Sequence, residues 1–392
     1  MIGAPLGMNG RTTEMSRLHI LGIESSCDET AAAIVDETGL VRSDIVASQI
    51  RLHAPYGGVV PEIAARAHLQ HISRVVREAV APLEGGIDAI DAIAVTQGPG
   101  LVGALLVGTS MAHALAFSLD KPLVYVNHLE GHLFAPFLRR SEDEEIGLEF
   151  PYLALLASGG HTAIYRVDGP LEIRLIGQTR DDAAGEAYDK AAKVLGLGYP
   201  GGPVIDRLAA EFQGAPEPFA IPMRGKKSLE FSFAGLKTAL ARRVALEREE
   251  SGGAALTDER IAALASGFQE AVIRSLVSTT LRAAKEEGID RVIITGGVAA
   301  NSALRALLKS EAAARELQVF IPPFANCTDN AAMIAYRGML DFTAGRIAEP
   351  RFQSPYSRDP SRRRGKFNRR GELIPRKSHE ANAQEKQPKT QD

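Results

Sequence analysis

Short apolar runs that end in turn residues recur along this chain of 392 residues. Residues 21–26, 31–35, 122–126, 153–158 and 162–167 each predict a buried strand, because these runs are short and are bounded by glycine, serine or acidic turns. Residues 256–287 have helical spacing instead and predict one or two amphipathic helices, with Thr257 or Asp258 as the candidate N-cap.

The most apolar stretch is residues 101–119, yet no apolar run reaches the roughly 18 residues that cross a bilayer. The polar residues within this stretch, and its many glycines and alanines, predict a packed helix. We therefore expect no membrane segment.

An internal near-duplication is the main indication of the fold. Residues 90–98 align with residues 289–297, and each copy runs from Ile-Asp through an apolar stretch to Thr and Gly, then into an Ala/Leu-rich helix. Residues 21–35 match 153–167 less closely, as strand, small-residue turn and strand. Two such copies predict a pseudo-duplicated α/β protein with two lobes around a cleft, similar to the actin-like and sugar-kinase-like ATPases. Ligands are then expected between the lobes, at the carboxyl ends of the strands.

This pattern divides the chain into four parts. We predict a disordered leader over 1–17, a first lobe over 18–145 and a second lobe over 146–350 that contains an insertion at about 212–238. Residues 351–392 are predicted to form a basic, disordered tail.

Composition narrows the class of protein. Apolar residues make up 45% of the chain and charged residues 24%, which is ordinary for a globular protein. Cys27 and Cys327 are the two cysteines, too few for a disulfide framework, so we expect a reducing compartment. The leader has no apolar core like that of a secretion signal, and Met15 is a candidate alternative start.

Charge is distributed unevenly around a net value of −3. Residues 358–392 contain eleven Lys or Arg and five Asp or Glu, a local charge of +6. A segment of this kind can neutralise RNA phosphates. The alternative is a solvated tail that contacts nothing specific.

Two histidines, His128 and His132, follow an apolar strand at a spacing of four residues. Residues at this spacing share one helix face, so both imidazoles can bind one transition metal. Asp329 is the candidate third ligand, and we expect the three to meet across the gap between the lobes. The alternative is that one histidine caps a helix while the other is a hydrogen-bonded core residue.

The same spacing argues against a zinc peptidase. In such enzymes a glutamate that acts as general base directly follows the first histidine. Here Glu130 is displaced by one position and falls on the opposite side of the helix. Gly131 is also expected to loosen the helix.

Several glycine turns follow predicted strands, where the backbone can approach phosphate oxygens. They are Gly98-Pro99-Gly100, Ser158-Gly159-Gly160-His161, Gly201-Gly202-Pro203 and Gly296-Gly297. Their number favours a nucleotide cleft, although a tight turn also requires glycine. Neither a Walker A motif nor a Gly-x-Gly-x-x-Gly motif is present.

Polar residues near these turns have functional and structural interpretations. Asn301 and Asn330 are candidate ligand contacts or helix caps. Asp189 either accepts from ribose hydroxyls or sits at a helix N-terminus. Asp28 and Glu29, in an acidic turn between strands, are candidates for proton transfer, with a solvated turn as the alternative.

Together these motifs resemble the bacterial tRNA threonylcarbamoyladenosine transferase family, whose members were once described as glycoproteases. The resemblance covers about residues 18–345. It rests on Glu24-Ser25-Ser26-Cys27-Asp28-Glu29-Thr30, Tyr56-Gly57-Gly58-Val59-Val60-Pro61-Glu62, Gly98-Pro99-Gly100-Leu101, His128 to His132, Ser158-Gly159-Gly160-His161-Thr162, Asp181-Asp182-Ala183-Ala184-Gly185-Glu186, Tyr199-Pro200-Gly201-Gly202, Gly296-Gly297-Val298 and Cys327-Thr328-Asp329-Asn330.

The resemblance implies an actin-like fold and one divalent ion, Fe²⁺ or Zn²⁺, on His128, His132 and Asp329. It implies transfer of the threonylcarbamoyl group from L-threonylcarbamoyl-adenylate to N6 of the adenosine just 3′ of the tRNA anticodon, in tRNAs that read codons beginning with A, with release of AMP. The positions that match the family's substrate contacts are Leu156, Ala157, Ser158, Gly159, Gly160, Asp189, Gly202, Asp206 and Asn301.

The family further implies a cytoplasmic protein that works with a paralogous actin-fold subunit and a small P-loop ATPase. ATP or AMP in the cleft is compatible with the glycine turns. A second hypothesis is a non-catalytic, ATP-binding scaffold subunit of the same fold.

Overall fold

Two five-stranded mixed sheets form the framework of the computed structural model, which describes residues 18–225, 227–349 and 352–357. The predicted leader, the basic tail from residue 358 onward, and residues 226, 350 and 351 lie outside the described residues.

The first sheet lies in the N-terminal part of the chain and the second in the C-terminal part. The strands of the first are β1 His19–Glu24, β2 Glu29–Asp36, β3 Val41–Ser48, β4 Ala92–Gly98 and β5 Leu123–Asn127. Those of the second are β6 Tyr152–Ala157, β7 Thr162–Gly169, β8 Glu172–Gln178, β9 Arg291–Thr295 and β10 Gln318–Phe320.

The strand orders of the two sheets confirm the pseudo-duplication. The first sheet has the order β3-β2-β1-β4-β5, and the second, read from its opposite edge, has the order β8-β7-β6-β9-β10. In each sheet an antiparallel three-stranded meander is joined to two further strands in parallel register. The aligned segments at residues 90–98 and 289–297 form the equivalent strands β4 and β9.

Helices cover the faces of both sheets and fill the connections between strands. They are α1 Ile50–His53, α2 Pro61–Val80, α3 Val102–Leu119, α4 His128–Phe134, α5 Ala184–Leu195, α6 Gly201–Glu211, α7 Ala234–Glu250, α8 Asp258–Glu287, α9 Ser302–Ala313, α10 Phe324–Cys327 and α11 Ala331–Thr343. Thr257 caps α8 as predicted, because its side chain accepts a hydrogen bond from the backbone N–H of Arg260.

The last helix, α11, returns to the first sheet, although a division of the chain at residue 146 assigns it to the second lobe. Ala331, Met333 and Ala335 are buried in one core with Ile20 and Val124 of the first sheet. Gly22 permits this approach, since a Cβ there would lie 2.2 Å from the carbonyl oxygen of Ala331. The return of α11 carries the residues that precede it to the first lobe.

The predicted insertion at 212–238 connects α6 to α7 and lies in the second lobe. Its described residues up to Phe233 contain no helix and no strand of the sheet, but Phe231 and Phe233 are fully buried in the second core. Their rings stack at a centroid distance of 6.2 Å. These two aromatic residues anchor the connection to the lobe.

Candidate metal and substrate site

The two histidines of the sequence motif lie on α4, directly after β5. Asn127 ends the strand and caps the helix, because its side chain accepts from the backbone N–H of Leu129 at 2.9 Å. His128 and His132 are both buried, and their ring centroids are 4.8 Å apart with the planes nearly perpendicular. The predicted shared helix face is therefore present.

Asp329 lies beside both imidazoles. Its Oδ1 is 3.0 Å from Nε2 of His132 and 3.5 Å from Nε2 of His128. The three ligand atoms lie within 4.8 Å of one another. Neighbouring ligands at roughly 2.0–2.2 Å from a tetrahedral or octahedral ion are about 2.8–3.6 Å apart, so both measured separations suit one ion.

The sequence predicts that the three ligands meet across the gap between the lobes, and this expectation is wrong. The cluster is built on elements that pack on the first sheet. The histidines continue β5, and Asp329 immediately precedes α11, which is packed across β1, β2 and β4. Asn330 fixes this junction as the N-cap of α11, since its Oδ1 accepts from the backbone N–H of Met333 at 2.9 Å. The cap interpretation of Asn330 is thus correct.

Glu24 is a functional residue that sequence reasoning missed. This carboxylate is buried at the end of β1, and its Oε2 accepts from Nδ1 of His128 at 3.0 Å and from the hydroxyl of Thr96. Its Oε1 accepts from the backbone N–H of Ser26. The only signal in the sequence is an acid at the carboxyl end of an apolar strand. Its contact leaves Nε2 of His128 to face Asp329.

The charges in this cluster shift the pKa values of all its members. Burial alone would lower the pKa of His128, but the charges of Asp329 and Glu24 raise it well above the usual range. Burial lowers the pKa of His132, and the neighbouring charge of His128 acts in the same direction. Burial would raise the pKa of Asp329, yet the two histidines hold it well below its ordinary value. A cation at this position would therefore compete with the proton on His128.

Glu130 faces away from the cluster, as its offset in the motif predicts. Its Oε2 accepts from Nε of Arg337 at 2.9 Å, and Arg337 is fully buried on α11. Gly131 does not loosen the helix but allows a close contact with α11, since a Cβ there would lie 2.9 Å from Cδ1 of Ile334. Close packing of α4 on α11 therefore holds the histidines and Asp329 in register.

Asp28 ends the turn between β1 and β2, and Glu29 is the first residue of β2. Burial raises the pKa of Glu29 well above its ordinary value, and the charges of Asp28 and Asp329 raise it further. Oε1 of Glu29 accepts from the hydroxyl of Ser48 at 3.1 Å. The pKa of the Cys27 thiol is likewise raised, by burial and by Asp28. A thiol held in this way is a poor nucleophile.

The predicted substrate turns of the second lobe meet at the carboxyl ends of β6 and β9. Leu156 and Ala157 end β6, and Leu156 pairs with Thr295 at the end of β9. The turn over residues 158–161 is closed by the backbone N–H of Ser158, which donates to the carbonyl of His161. Gly159 and Gly160 are exposed at its tip.

Two further glycines pack against this turn. A Cβ on Gly185, at the start of α5, would lie 2.7 Å from the carbonyl oxygen of Ser158. Gly296 has a φ of 89° and lies against the carbonyl of Ala157. The glycine motifs of the second lobe thus form one continuous backbone surface.

Asp189 lies in the interior of α5 and not at the start of its own helix, because α5 begins five residues earlier, at Ala184. Its Oδ1 accepts from the backbone N–H of Gly201 at 2.7 Å, at the start of α6, where Gly202 follows. The Asp189 carboxylate thus ties α5 to the amino end of α6.

Asp206 and Asn301 belong to a second polar group, joined through Gln269 of α8. Asn301 caps α9 by accepting from the backbone N–H of Leu304, and its Nδ2 donates to Oε1 of Gln269 at 2.7 Å. Asp206 accepts from Nε2 of Gln269 and from the backbone N–H of Ser302. The cap interpretation of Asn301 is therefore correct.

A charge of the first lobe acts on two titratable groups of the second lobe. Burial raises the pKa of Asp189, and the charge of Asp28 on the first lobe contributes. Burial also raises the pKa of Tyr199, with Asp28 and Asp189 as the next causes. Asp28 of the first lobe therefore lies near Asp189 and Tyr199 of the second lobe.

These features define the class. Two duplicated α/β lobes carry a His/His/Asp cluster on the first lobe and glycine-rich turns at the strand ends of the second. Among solved structures, full-length HypF in its phosphate- and nucleotide-bound form is similar, with a TM-score of 0.53 and 14% identity over 83% of this chain and 55% of HypF. HypF of T. kodakarensis gives a TM-score of 0.54, also at 14% identity, over 84% of this chain and 48% of that protein. The fold is that of the actin-like ATPases.

The sequence comparisons identify the family. The family model described as "TsaD: tRNA N6-adenosine threonylcarbamoyltransferase" matches residues 40–336, so the chain belongs to this family of tRNA-modifying acyltransferases.

Named members of the family are close in sequence. A tRNA N6-adenosine threonylcarbamoyltransferase of Sorangium cellulosum is 57% identical over 84% of this chain and 93% of its own length. The corresponding protein of Geobacter metallireducens is 53% identical over 83% of this chain and 92% of its length.

Proposed function

We propose that this protein transfers the threonylcarbamoyl group of L-threonylcarbamoyl-adenylate to N6 of the adenosine 3′ of the tRNA anticodon, with a divalent transition metal on His128, His132 and Asp329. The observation that carries the proposal is the convergence of these three side chains, in a chain of the threonylcarbamoyltransferase family.

The donor set suits a metal of the iron or zinc type. Two borderline imidazole nitrogens and one hard carboxylate oxygen form a three-ligand set that leaves coordination positions open. The contact of Nδ1 of His128 with Glu24 is the outer-shell interaction that ligating histidines usually make. When bound, such an ion supplies a Lewis acid for a carbonyl or phosphate oxygen of the adenylate.

The transfer is an acyl substitution in which the atoms balance simply. The N6 amine attacks the carbamoyl carbon, an N–C bond forms, and the bond from that carbon to the phosphate oxygen breaks to release AMP. The chain's task is to place a weakly nucleophilic amine against the carbamoyl carbon and to accept one proton. The backbone of residues 156–160 and the amino end of α6 would hold the adenylate, with Asp189, Gly202, Asp206 and Asn301 as its positioning groups.

Glu29 is the better candidate of the two acids to accept that proton. Its raised pKa brings the carboxylate closer in basicity to the medium, and a general base works best when its pKa is near the operating pH. A bound cation would offset the charge of Asp329, but burial and Asp28 remain as causes of the shift. The negative charge of Asp28 would then keep the pKa of Glu29 raised.

The apolar outer face of α3 supports docking of a partner subunit. Val102, Leu106 and Phe117 share one stripe of this helix and are exposed, with Phe117 exposed to 91%. The helix is long and apolar enough to cross a membrane by length and composition, but its other face packs on the first sheet through Val107 and Ala112. Exposed apolar patches of this kind mark protein interfaces.

We assign this face of α3 to the paralogous actin-fold subunit that the family resemblance implies, and expect a small P-loop ATPase as a further partner. The basic residues after position 357 are proposed to add an accessory tRNA contact. A protein that modifies tRNA acts where tRNA is made and used, so we place it in the cytoplasm.

Nucleoside mass spectrometry tests the proposed function. Cells depleted of this chain should lose threonylcarbamoyladenosine from their tRNA, and the wild-type protein should restore it. The double variant His128→Ala/His132→Ala should not restore it, whereas His71→Ala, which removes a partly exposed imidazole of α2, should do so fully. Full restoration by the double variant would favour a scaffold that needs no metal chemistry.

A further inference from the structure

A groove lined by positive charge lies on the second lobe, outside the site described above. It is a cavity of about 430 Å³ between α8, α9 and the loop at residues 221–224. Val277, Leu281 and Leu307 contribute apolar lining. The spacing of Arg274, Leu281 and Lys285 places them on one stripe of α8, so that the helix presents a single face to the groove.

Charged residues in this lining are almost all cations. They are Arg224, Arg274, Arg282, Lys285 and Arg315, and the acid among them is Glu311. Five cations and one anion give a local charge of +4 in a chain whose net charge is −3. A concentration of one sign in a concave surface attracts an oppositely charged partner.

Four of the five cations are available to a ligand at little cost, whereas Arg282 donates to the carbonyl of Ser228. Arg224 and Lys285 are exposed. Arg274 and Arg315 pair with Glu270 and Glu311, which lie four residues before them, and about half of each arginine side chain is exposed. Exposed pairs of this type contribute only roughly 0.3–0.5 kcal/mol each, so a phosphate can take the place of the carboxylate.

The groove is tied to the substrate site through the two helices that form it. Gln269 of α8 accepts a hydrogen bond from Asn301, a predicted substrate residue at the start of α9. The cations on α8 from Arg274 to Lys285 follow Gln269 by five to sixteen residues. At 1.5 Å per residue, they lie roughly 8–24 Å along the helix from that site.

We infer that this groove binds the phosphate backbone of the substrate tRNA, away from the adenosine that enters the cleft. Most contacts between proteins and nucleic acids go to phosphate and sugar, and they fix the register of the bound molecule without reading its sequence. The inference rests on the proposed function, because that function supplies a polyanion whose target base must lie in the cleft while its backbone extends outward.

Equilibrium binding of a tRNA transcript to the full chain tests this inference at several salt concentrations. The variant Arg224→Glu/Lys285→Glu reverses two exposed charges of the groove. We expect its Kd for tRNA to rise at least about tenfold at 0.1 M salt, and the slope of log K against log salt to fall by about two.

The control is Arg242→Glu/Arg248→Glu, which makes the same charge change on exposed positions of α7. It should retain wild-type affinity and salt slope. Unchanged affinity in the groove variant, or an equal loss in the control, would overturn the inference.

Failure of the proposed function is distinguishable from failure of the groove. A wild-type chain that restores threonylcarbamoyladenosine, combined with a groove variant of normal affinity, overturns the groove alone. Depleted cells that keep the modified nucleoside would instead overturn the function.

Discussion

Oε2 of Glu24 lies 3.0 Å from Nδ1 of His128, although the two residues are 104 positions apart in the chain. The contact orients the imidazole so that its Nε2 faces Asp329. The negative charge of the Glu24 carboxylate also increases the basicity of the His128 imidazole as a metal ligand.

Replacement of Glu24 tests the importance of this contact. Both carboxylate oxygens accept hydrogen bonds, so in Glu24→Gln the amide NH2 must face a donor, either the N–H of Ser26 or the groups at Oε2. We expect zinc affinity to fall by about 10–100-fold, measured by competition with a chelator. Wild-type affinity in this variant would show that the contact does not support the metal.

Metal affinity should depend on pH through His128. The pKa of this imidazole is raised, so below that pKa a proton occupies the ligand and the metal must displace it. Affinity should therefore rise by about tenfold per pH unit as pH increases, and level off above the pKa of His128. Titrations with Zn²⁺ from acidic to alkaline pH would measure the slope, and a flat profile would exclude His128 as a ligand.

Glu29→Gln should abolish most turnover while it leaves the metal in place. The pKa of Glu29 is raised above its ordinary value of 4.5. The rate should be low while this carboxylate is protonated and should increase as the pH rises through its pKa. The variant should lose about 10²–10⁴-fold in kcat together with this acid limb. A pH–rate profile of the variant that matches the wild type would remove Glu29 from the reaction.

The buried Arg337 should be important for stability. Its guanidinium contacts Glu130 at 2.9 Å, Asp341 at 2.9 Å and the carbonyl of Pro170 at 3.2 Å. Arg337→Met removes the closest partner of the buried Asp341 and the hydrogen bonds to Glu130 and Pro170. It should cost roughly 3–5 kcal/mol in urea unfolding.

Arg346→Met provides the matched control. Arg346 also approaches Asp341, but more than half of its side chain is exposed. We expect this change to cost less than about 1 kcal/mol. Equal losses in the two variants would contradict the assignment of Arg337 as the link between α4, α11 and the β7–β8 turn.

Local signals account for the parts of the structure that the sequence predicts correctly. The apolar runs that become β1, β2, β5, β6 and β7 are short and bounded by turn residues, and the duplicated Ile-Asp to Gly segments become equivalent strands. The i, i+4 spacing of His128 and His132 determines their common face. The offset of Glu130 likewise predicts its orientation.

The remaining features depend on long-range packing, for which the sequence has no local signal. Nothing near Gly22 indicates that α11 returns to the first sheet, so the sequence predicts Asp329 across the gap between the lobes. The sequence predicts Asp189 at a helix start, whereas α5 begins at Ala184 without a capping side chain. A helix boundary of this kind has no local sequence signal. Glu24 looks like any acid at a strand end until the fold brings His128 beside it.

The central claim is that one transition metal is bound by His128, His132 and Asp329. Anomalous diffraction from crystals of the metal-loaded protein, recorded above the zinc or iron edge, tests it most directly. The account predicts one strong peak about 2.0–2.2 Å from Nε2 of both histidines and from Asp329. A peak elsewhere, or none at this cluster in protein loaded with either metal, would contradict it.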